Sequence, residues 1–362
     1  MTRSPSGATI NRAAEIPPKA IDGALDGRYR SQRKVREDFR QRFKTNRTVY
    51  RTVPRQPRLK GEPGEGLRSR VRRRDQEEGR RVALLNEGIE LLAKYQARLA
   101  AQNTYGVLVV LQALDAAGKD GTIRHVMSGV NPQGVRVESF KVPSSRELDQ
   151  DFLRRYQERL PSRGEIGIFN RSHYEEVLVV RVHPENLVRQ QLPAETREHH
   201  VWKRRYEAIN DWEQYLSENG FRIVKLFLNL SKEEQRLRFL RRIDLPDHNW
   251  KFSSHDVEER RFWDSYQEAF SQMFSHTSTA SAPWYVIPAD RKWFARIAAA
   301  AVIAHTLIDI DPQYPTLSED ALRDLGAAKV ALESEVPSAA APNANGDAAR
   351  ATPPGKLIQK DG

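Results

Sequence analysis

Apolar residues in this chain gather in short blocks with turn signals between them. Tyr105–Leu111 (YGVLVVL) is a continuous apolar run, the pattern of a strand covered on both faces in a parallel sheet. Val135–Phe140 alternates, and Ile166–Phe169, Arg222–Leu228 and Trp284–Ile287 repeat the strand signal. Helical spacing lies between them. Ser144 to Glu147 and Ser231 to Glu234 have the form in which a serine and a glutamate three residues on satisfy the first amides of a helix. A further helix is predicted over Glu77–Ala101, ahead of the first strand. Strands alternating with helices predict an α/β fold: a five-stranded, mainly parallel sheet flanked by helices.

One connection breaks the rhythm. Residues 229–283 separate the fourth and fifth strands, where a crossover helix needs only about a dozen residues. The segment is charged and helical in pattern. It predicts a helical hairpin over the strand ends, a lid at about 235–275, because structureless loops of that length are uncommon in compact domains.

Charge divides the chain into three. Residues 1–81 carry 23 Lys and Arg against 10 Asp and Glu, residues 82–315 carry 31 of each, and residues 316–362 carry 5 against 7. The net charge of +11 therefore belongs to the N-terminal stretch. That stretch is rich in Arg, Pro and Gly, and Gly61–Gly66 reads as a linker. Residues 1–81 are expected to be a largely disordered basic arm, with a short helix near residues 28–45. Residues 316–362 are expected to be a largely disordered tail. The absence of cysteine excludes a disulfide framework, a cysteine-ligated zinc, an iron–sulfur cluster and a thiol nucleophile. The histidines show no HExxH-like spacing, so no zinc site is expected. The longest apolar run, Ile297–Ala304, is too short to cross a bilayer, and residues 1–30 lack the apolar core of a signal peptide. The expectation is a soluble cytoplasmic protein with no membrane partner.

Candidate chemistry begins where the first strand ends. Gln112-Ala113-Leu114-Asp115-Ala116-Ala117-Gly118-Lys119-Asp120-Gly121-Thr122 resembles the P-loop pattern. Gly118 permits the sharp turn, the amides of Ala116 to Gly121 face inward, and the next helix aims its positive end at the same point. Lys119 adds a mobile cation. The departures are informative. Ala113 stands for the first glycine, Asp120 for the Ser or Thr that usually holds magnesium, and Asp115 adds a carboxylate inside the loop. Negative charge there makes sense if it holds Mg2+ or orients a nucleophile.

These residues resemble the family-2 polyphosphate kinases. The loop Asp115 to Gly121 matches their first motif. Gly167-Ile168-Phe169-Asn170-Arg171-Ser172-His173-Tyr174-Glu175-Glu176 matches a second, and Trp250-Lys251-Phe252 with Asp256, Arg260 and Trp263-Asp264 a third. Pro283 to Trp293 matches a fourth. The similarity covers about residues 80–315. It implies a P-loop kinase core with a helical lid, Mg2+ as cofactor, and transfer of a terminal phosphoryl group from inorganic polyphosphate to a nucleotide. It implies a homo-oligomer as well, since members commonly associate. Asn170 and Glu175 resemble the subgroup that accepts both AMP and ADP, and place Glu175, with His173 and Tyr174, at the acceptor nucleotide. His248 and Glu176 depart from the residues common at their positions.

Phosphoryl transfer needs alignment, charge neutralisation and exclusion of water. Asp115, Lys119, Asn170 and Arg171 are the expected catalytic residues, with Asp115 as metal ligand. Arg171 lies just past a strand end, on the side where open α/β sheets bind ligands. Arg242, Lys251 and Arg260 join the loop as expected phosphate ligands, and Arg238 and Arg241 share the same helical stripe. Lys203-Arg204-Arg205 cannot all face one site and read equally as a solvated helix face. Trp250 and Phe252 read as lid packing. Two other functions fit the same residues: an ATP-dependent nucleoside monophosphate kinase, or a polyanion-binding scaffold using the Arg-rich arm. Nucleic acid is expected as a partner only through that arm.

Overall fold

The computed structural model describes residues 65–198, 200–250 and 252–335. Residues 1–64, with the helix expected near 28–45, lie outside the described residues, as do Lys251 and residues 336–362. Five strands form one sheet: β1 (Gly106–Gln112), β2 (Val135–Ser139), β3 (Ile166–Asn170), β4 (Phe221–Asn229) and β5 (Trp284–Pro288). Their order is β2-β3-β1-β4-β5, and every neighbouring pair is parallel.

The apolar run of β1 follows from its central place. Val107, Val109 and Leu111 belong to a core beneath helices α1 (Glu65–Gln102) and α6 (Lys292–Ile310). Leu108 and Val110 belong to a second core on the opposite face, with helices α3 (Val201–Glu218) and α5 (Trp263–Thr277). Each buried Val or Leu there contributes roughly 1.5–3 kcal/mol of transfer free energy. Helix α6 is apolar enough over its 19 residues to match a membrane span by composition. Its alanines instead pack against α1, where a Cβ at Gly88 would stand 3.5 Å from Ala300.

Three expectations need correction. Helix α1 begins at Glu65, twelve residues before the expected Glu77, because the Arg-, Glu- and Gln-rich stretch that reads as an arm is also good helix-forming sequence. The long connection holds α4 (Lys232–Asp244) and α5, joined by short turns at Pro246–Asn249, Ser254–Glu259 and Arg260–Phe262. It is a hairpin, but α5 is core rather than lid: Tyr266, Ala269, Phe270 and Met273 are buried. The overhanging part is shorter than expected. Finally, residues 313–335 fall in a second compact unit, in which α7 (Glu319–Ser334) forms where an unstructured tail is expected. Ser318 caps it by accepting from the Ala321 amide.

Candidate active site

β1 lies between β3 and β4, so the chain leaves it toward one side of the sheet and later returns on the other. The crevice at the carboxyl end of such a strand is where open α/β sheets bind ligands. The loop 113–118 runs from that end into α2 (Lys119–Val126). Gly118 is left-handed, at φ 99°, and Ala116 at φ 64° shares that region despite its Cβ. The first amides of α2 thus open into the crevice without an intrahelical partner.

The loop is clamped from behind by α4. Arg238 Nη1 donates to Ala116 O (3.0 Å) and Ala117 O (2.8 Å), its Nη2 to Ala289 O (2.6 Å) and Asp290 O (3.1 Å), and its Nε to Glu234 Oε1 (2.9 Å). Gln235 Nε2 donates to Asp115 O at 3.0 Å. Arg238 therefore holds the loop: it lines the cationic cavity with Arg241 and Arg242, but every nitrogen of its guanidinium already has a partner. Sequence spacing finds the stripe but not the carbonyls beneath it.

Two cavities meet at the loop. One, of about 510 Å3, is lined by Ala116, Ala117, Gly118, Lys119, Asp120 and Gly121, and by Arg124, Arg171, Arg241, Arg242, Lys292 and Arg296. Its acids are Asp115 and Asp120. Lys292 and Arg296 are each pushed down, by burial first and then by neighbouring cations: Arg238, Arg241 and Arg296 for Lys292, Arg124 for Arg296. The pocket is thus built to receive an anion. Sequence reasoning missed Arg124, Lys292 and Arg296. Lys292 lies inside the fourth motif, and Arg124 and Arg296 carry no local signal.

The other cavity, of about 450 Å3, has mixed walls. Phe140, Leu178, Val179, Trp263 and Phe270 supply apolar surface, and Arg155, Glu175, His183, Asp256 and Arg260 supply charge or hydrogen bonds. Asp115 and Arg171 line both cavities and are paired, Arg171 Nη2 donating to Asp115 Oδ1 at 3.0 Å. Arg171 is left-handed, at φ 64°, just past the end of β3. Burial pushes the Asp115 carboxyl up, but Lys119, Arg171 and Arg242 outweigh it and hold it below its ordinary value. Lys119, donating to Ala113 O at 2.9 Å, is pushed down by burial against the pull of Asp115. Burial raises Glu175, opposed by Arg171 and Lys119. Asn170 donates to Asp120 Oδ1 (2.8 Å), while its own Oδ1 is buried with no hydrogen-bond partner.

Several expected ligands lie elsewhere. His173 and Tyr174 are fully buried and line neither cavity. Their turn, His173–Val177, points them into the core, where His173 Nε2 meets Glu213 Oε1 (3.2 Å) and Tyr174 Oη donates to the same oxygen (2.8 Å). Lys225 Nζ closes the group by donating to Glu213 Oε2, Tyr174 Oη and Thr277 O. Arg260 lines the mixed cavity rather than the cationic one and donates to Lys232 O and Gln235 Oε1. Arg242 lines the cationic cavity and pairs with Asp256 at 3.4 Å. Trp250 is exposed, and its Nε1 donates to Asp247 O. Of the Lys203-Arg204-Arg205 run, Arg205 is buried against Glu176 at 2.9 Å, and the other two face solvent.

A glycine–lysine cradle at the centre of a parallel sheet, with an anion-receiving cavity on one side and a half-apolar one on the other, defines a P-loop phosphotransferase. Within that class the assignment is specific. The family model for Polyphosphate kinase 2 matches residues 73–315, and the chain belongs to that family. It is 53% identical over 233 residues to an "ADP-polyphosphate phosphotransferase" of Rhodopseudomonas palustris, covering 64% of this chain and 81% of the relative. It is 49% identical to an "AMP/ADP-polyphosphate phosphotransferase" of Meiothermus ruber, covering 65% and 82%. The crystal structure of Polyphosphate Kinase 2 from Arthrobacter aurescens TC1 superposes with a TM-score of 0.63 at 40% identity, over 71% of this chain and 86% of that one.

Proposed function

We propose that this protein transfers the terminal phosphoryl group of inorganic polyphosphate to AMP and ADP. The observation that carries this reading is the pairing of two unlike cavities across Asp115 and Arg171. A polyphosphate chain carries about one negative charge per phosphate, and long-range attraction of this kind suits the cavity of Lys119, Arg124, Lys292 and Arg296. A nucleotide has an apolar base and an anionic end, and suits the mixed one. The names of the relatives agree with both substrates.

Chemistry falls to the residues at the junction. The attacking oxygen of AMP or ADP is already anionic at neutral pH, so no side chain need remove a proton. Lys119, the first amides of α2 and Arg171 neutralise charge on the transferring group, where preorganised donors are worth most. Arg171, held by Asp115 in one geometry, is placed to address phosphates from both cavities. Glu175 adds negative charge beside the acceptor and favours the shorter, less anionic nucleotide.

Mg2+ suits the residues present. No cluster of three or more acidic, His or Cys side chains forms a cage among the described residues. Mg2+ is commonly held by one or two carboxylates plus substrate phosphates. Asp115 would hold it, with the unpartnered Asn170 Oδ1 as a weaker neighbouring ligand. When bound, the ion would neutralise phosphate charge that Lys119 and Arg171 leave uncovered.

The test is turnover by purified protein supplied with polyphosphate, Mg2+ and either AMP or ADP, in the absence of ATP. Stepwise formation of ADP and ATP is expected. Turnover of AMP with ATP as donor but none with polyphosphate would overturn the proposal.

A further inference from the structure

The helical turn Ser254–Glu259, which carries Asp256 of the mixed cavity, has no buried residue. Burial of apolar surface does not hold it in place, so polar contacts must. Counting Arg260, the residue that follows the turn, three of them are Arg242 to Asp256, Arg260 to Lys232 O and Gln235, and His183 to Glu259. The first two run to α4 and so stay inside the hairpin. The third crosses to the segment that follows β3, in the body of the domain.

His183 stands just after the short helix Val179–Val182. Its Nε2 lies 3.1 Å from Glu259 Oε2 and its Nδ1 3.3 Å from Glu185 Oε1. Phe262 meets its ring edge-on, with centroids 4.7 Å apart. Glu259 is held from the other side too, since Tyr266 Oη donates to the same Oε2 at 2.9 Å. His183, Glu259 and Tyr266 line the mixed cavity and are absent from the walls of the cationic one.

We propose that His183 is a positioning residue for the acceptor. By bridging Glu259 of the overhang to Glu185, an exposed residue of the segment that follows β3, it fixes the overhang as a wall of the mixed cavity. It therefore governs how well the acceptor nucleotide is held and leaves the donor to the cationic cavity. The inference rests on the assignment of the mixed cavity to AMP and ADP.

Two readouts on the full-length protein test it. The first needs no substrate: amide hydrogen exchange of residues 254–262 in wild type, His183→Ala, His183→Gln and Glu259→Ala. Exchange should quicken in both alanine variants and stay near wild type in His183→Gln, whose amide can still donate to Glu259. The second is kinetic. His183→Ala should raise KM for AMP about tenfold, the size of one charge-assisted hydrogen bond. KM for polyphosphate should stay near wild type, and His183→Gln should recover most of the loss. The double variant His183→Ala/Glu259→Ala should be no worse than either single one, because both remove the same bridge. Unchanged exchange in His183→Ala would overturn the proposal. So would an equal rise in KM for both substrates, or a glutamine variant as impaired as the alanine one. Absence of wild-type turnover with polyphosphate would count against the substrate assignment instead, and the exchange result would still decide the bridge.

Discussion

Replacing Arg238 separates a clamp from a phosphate ligand. In Arg238→Met the side-chain volume is roughly kept while the guanidinium is lost. Four backbone oxygens, of Ala116, Ala117, Ala289 and Asp290, then lose their donor, and Glu234 loses its ion-pair partner. A buried acceptor left unpaired costs about 1–3 kcal/mol. Four such costs do not add, since the carbonyls relax together and admit water. The expected loss is about 3–5 kcal/mol, the range for stripping one partner from a buried charge pair. The side chain is only 5% exposed, so solvent does little to soften this. Urea unfolding measures the stability, and steady-state kinetics at a temperature where the variant is folded measures the rest. With the loop unbacked, kcat should fall about 100-fold, as for a displacement of about 1 Å at the reacting atoms. KM for polyphosphate should change little. A variant as stable as wild type but with a much higher KM for polyphosphate would refute the clamp and return Arg238 to the phosphate track.

Lys119→Ala should lose about 100-fold or more in kcat while still folding, since it removes charge stabilisation from the transition state; a circular dichroism melt and initial rates check both halves. Glu175→Asn should shift the ratio of AMP to ADP phosphorylation toward ADP, and an equal fall in both rates would contradict a selective role. Burial pushes His173 below its ordinary 6.5, against the pull of Glu213. The unfolded chain then binds that proton more readily, so stability is full above about pH 6.5 and falls as pH drops toward the folded-state value. His173→Gln should flatten the slope of unfolding free energy between neutral and mildly acid pH, and parallel slopes would rule this out.

The central strand was legible because β1 is covered on both faces, which leaves an unbroken apolar run, and because one short loop separates it from the Gly118-Lys119 turn. Asp115, Lys119 and Arg171 could be placed because a loop at a strand end has few directions available. His173 and Tyr174 could not. A motif gives their order, but the turn that carries them decides which side chains face a cavity, and it sends these two to Glu213 and Lys225. Arg238 and Arg242 lie four residues apart on one stripe and both line the cationic cavity, yet the guanidinium of Arg238 is engaged by backbone carbonyls and that of Arg242 by Asp256. That difference depends on the loop and on residues 289–290, which are remote in sequence. The cationic wall of Arg124, Lys292 and Arg296 was hidden for the same reason, because it is assembled from α2 and α6.

The most direct test of the account is a pair of salt series, one varying polyphosphate and one varying AMP, on wild type and on Lys292→Ala/Arg296→Ala. Salt screens the attraction of a long polyanion to a cationic cavity more than that of a small nucleotide to a mixed one. KM for polyphosphate should therefore rise steeply with salt in wild type, and both the steepness and the affinity should fall in the double variant. KM for AMP should vary much less and should be nearly the same in the two proteins. Equal salt dependence for both substrates, or a double variant whose polyphosphate series overlays that of wild type, would contradict the division of the site into a donor cavity and an acceptor cavity.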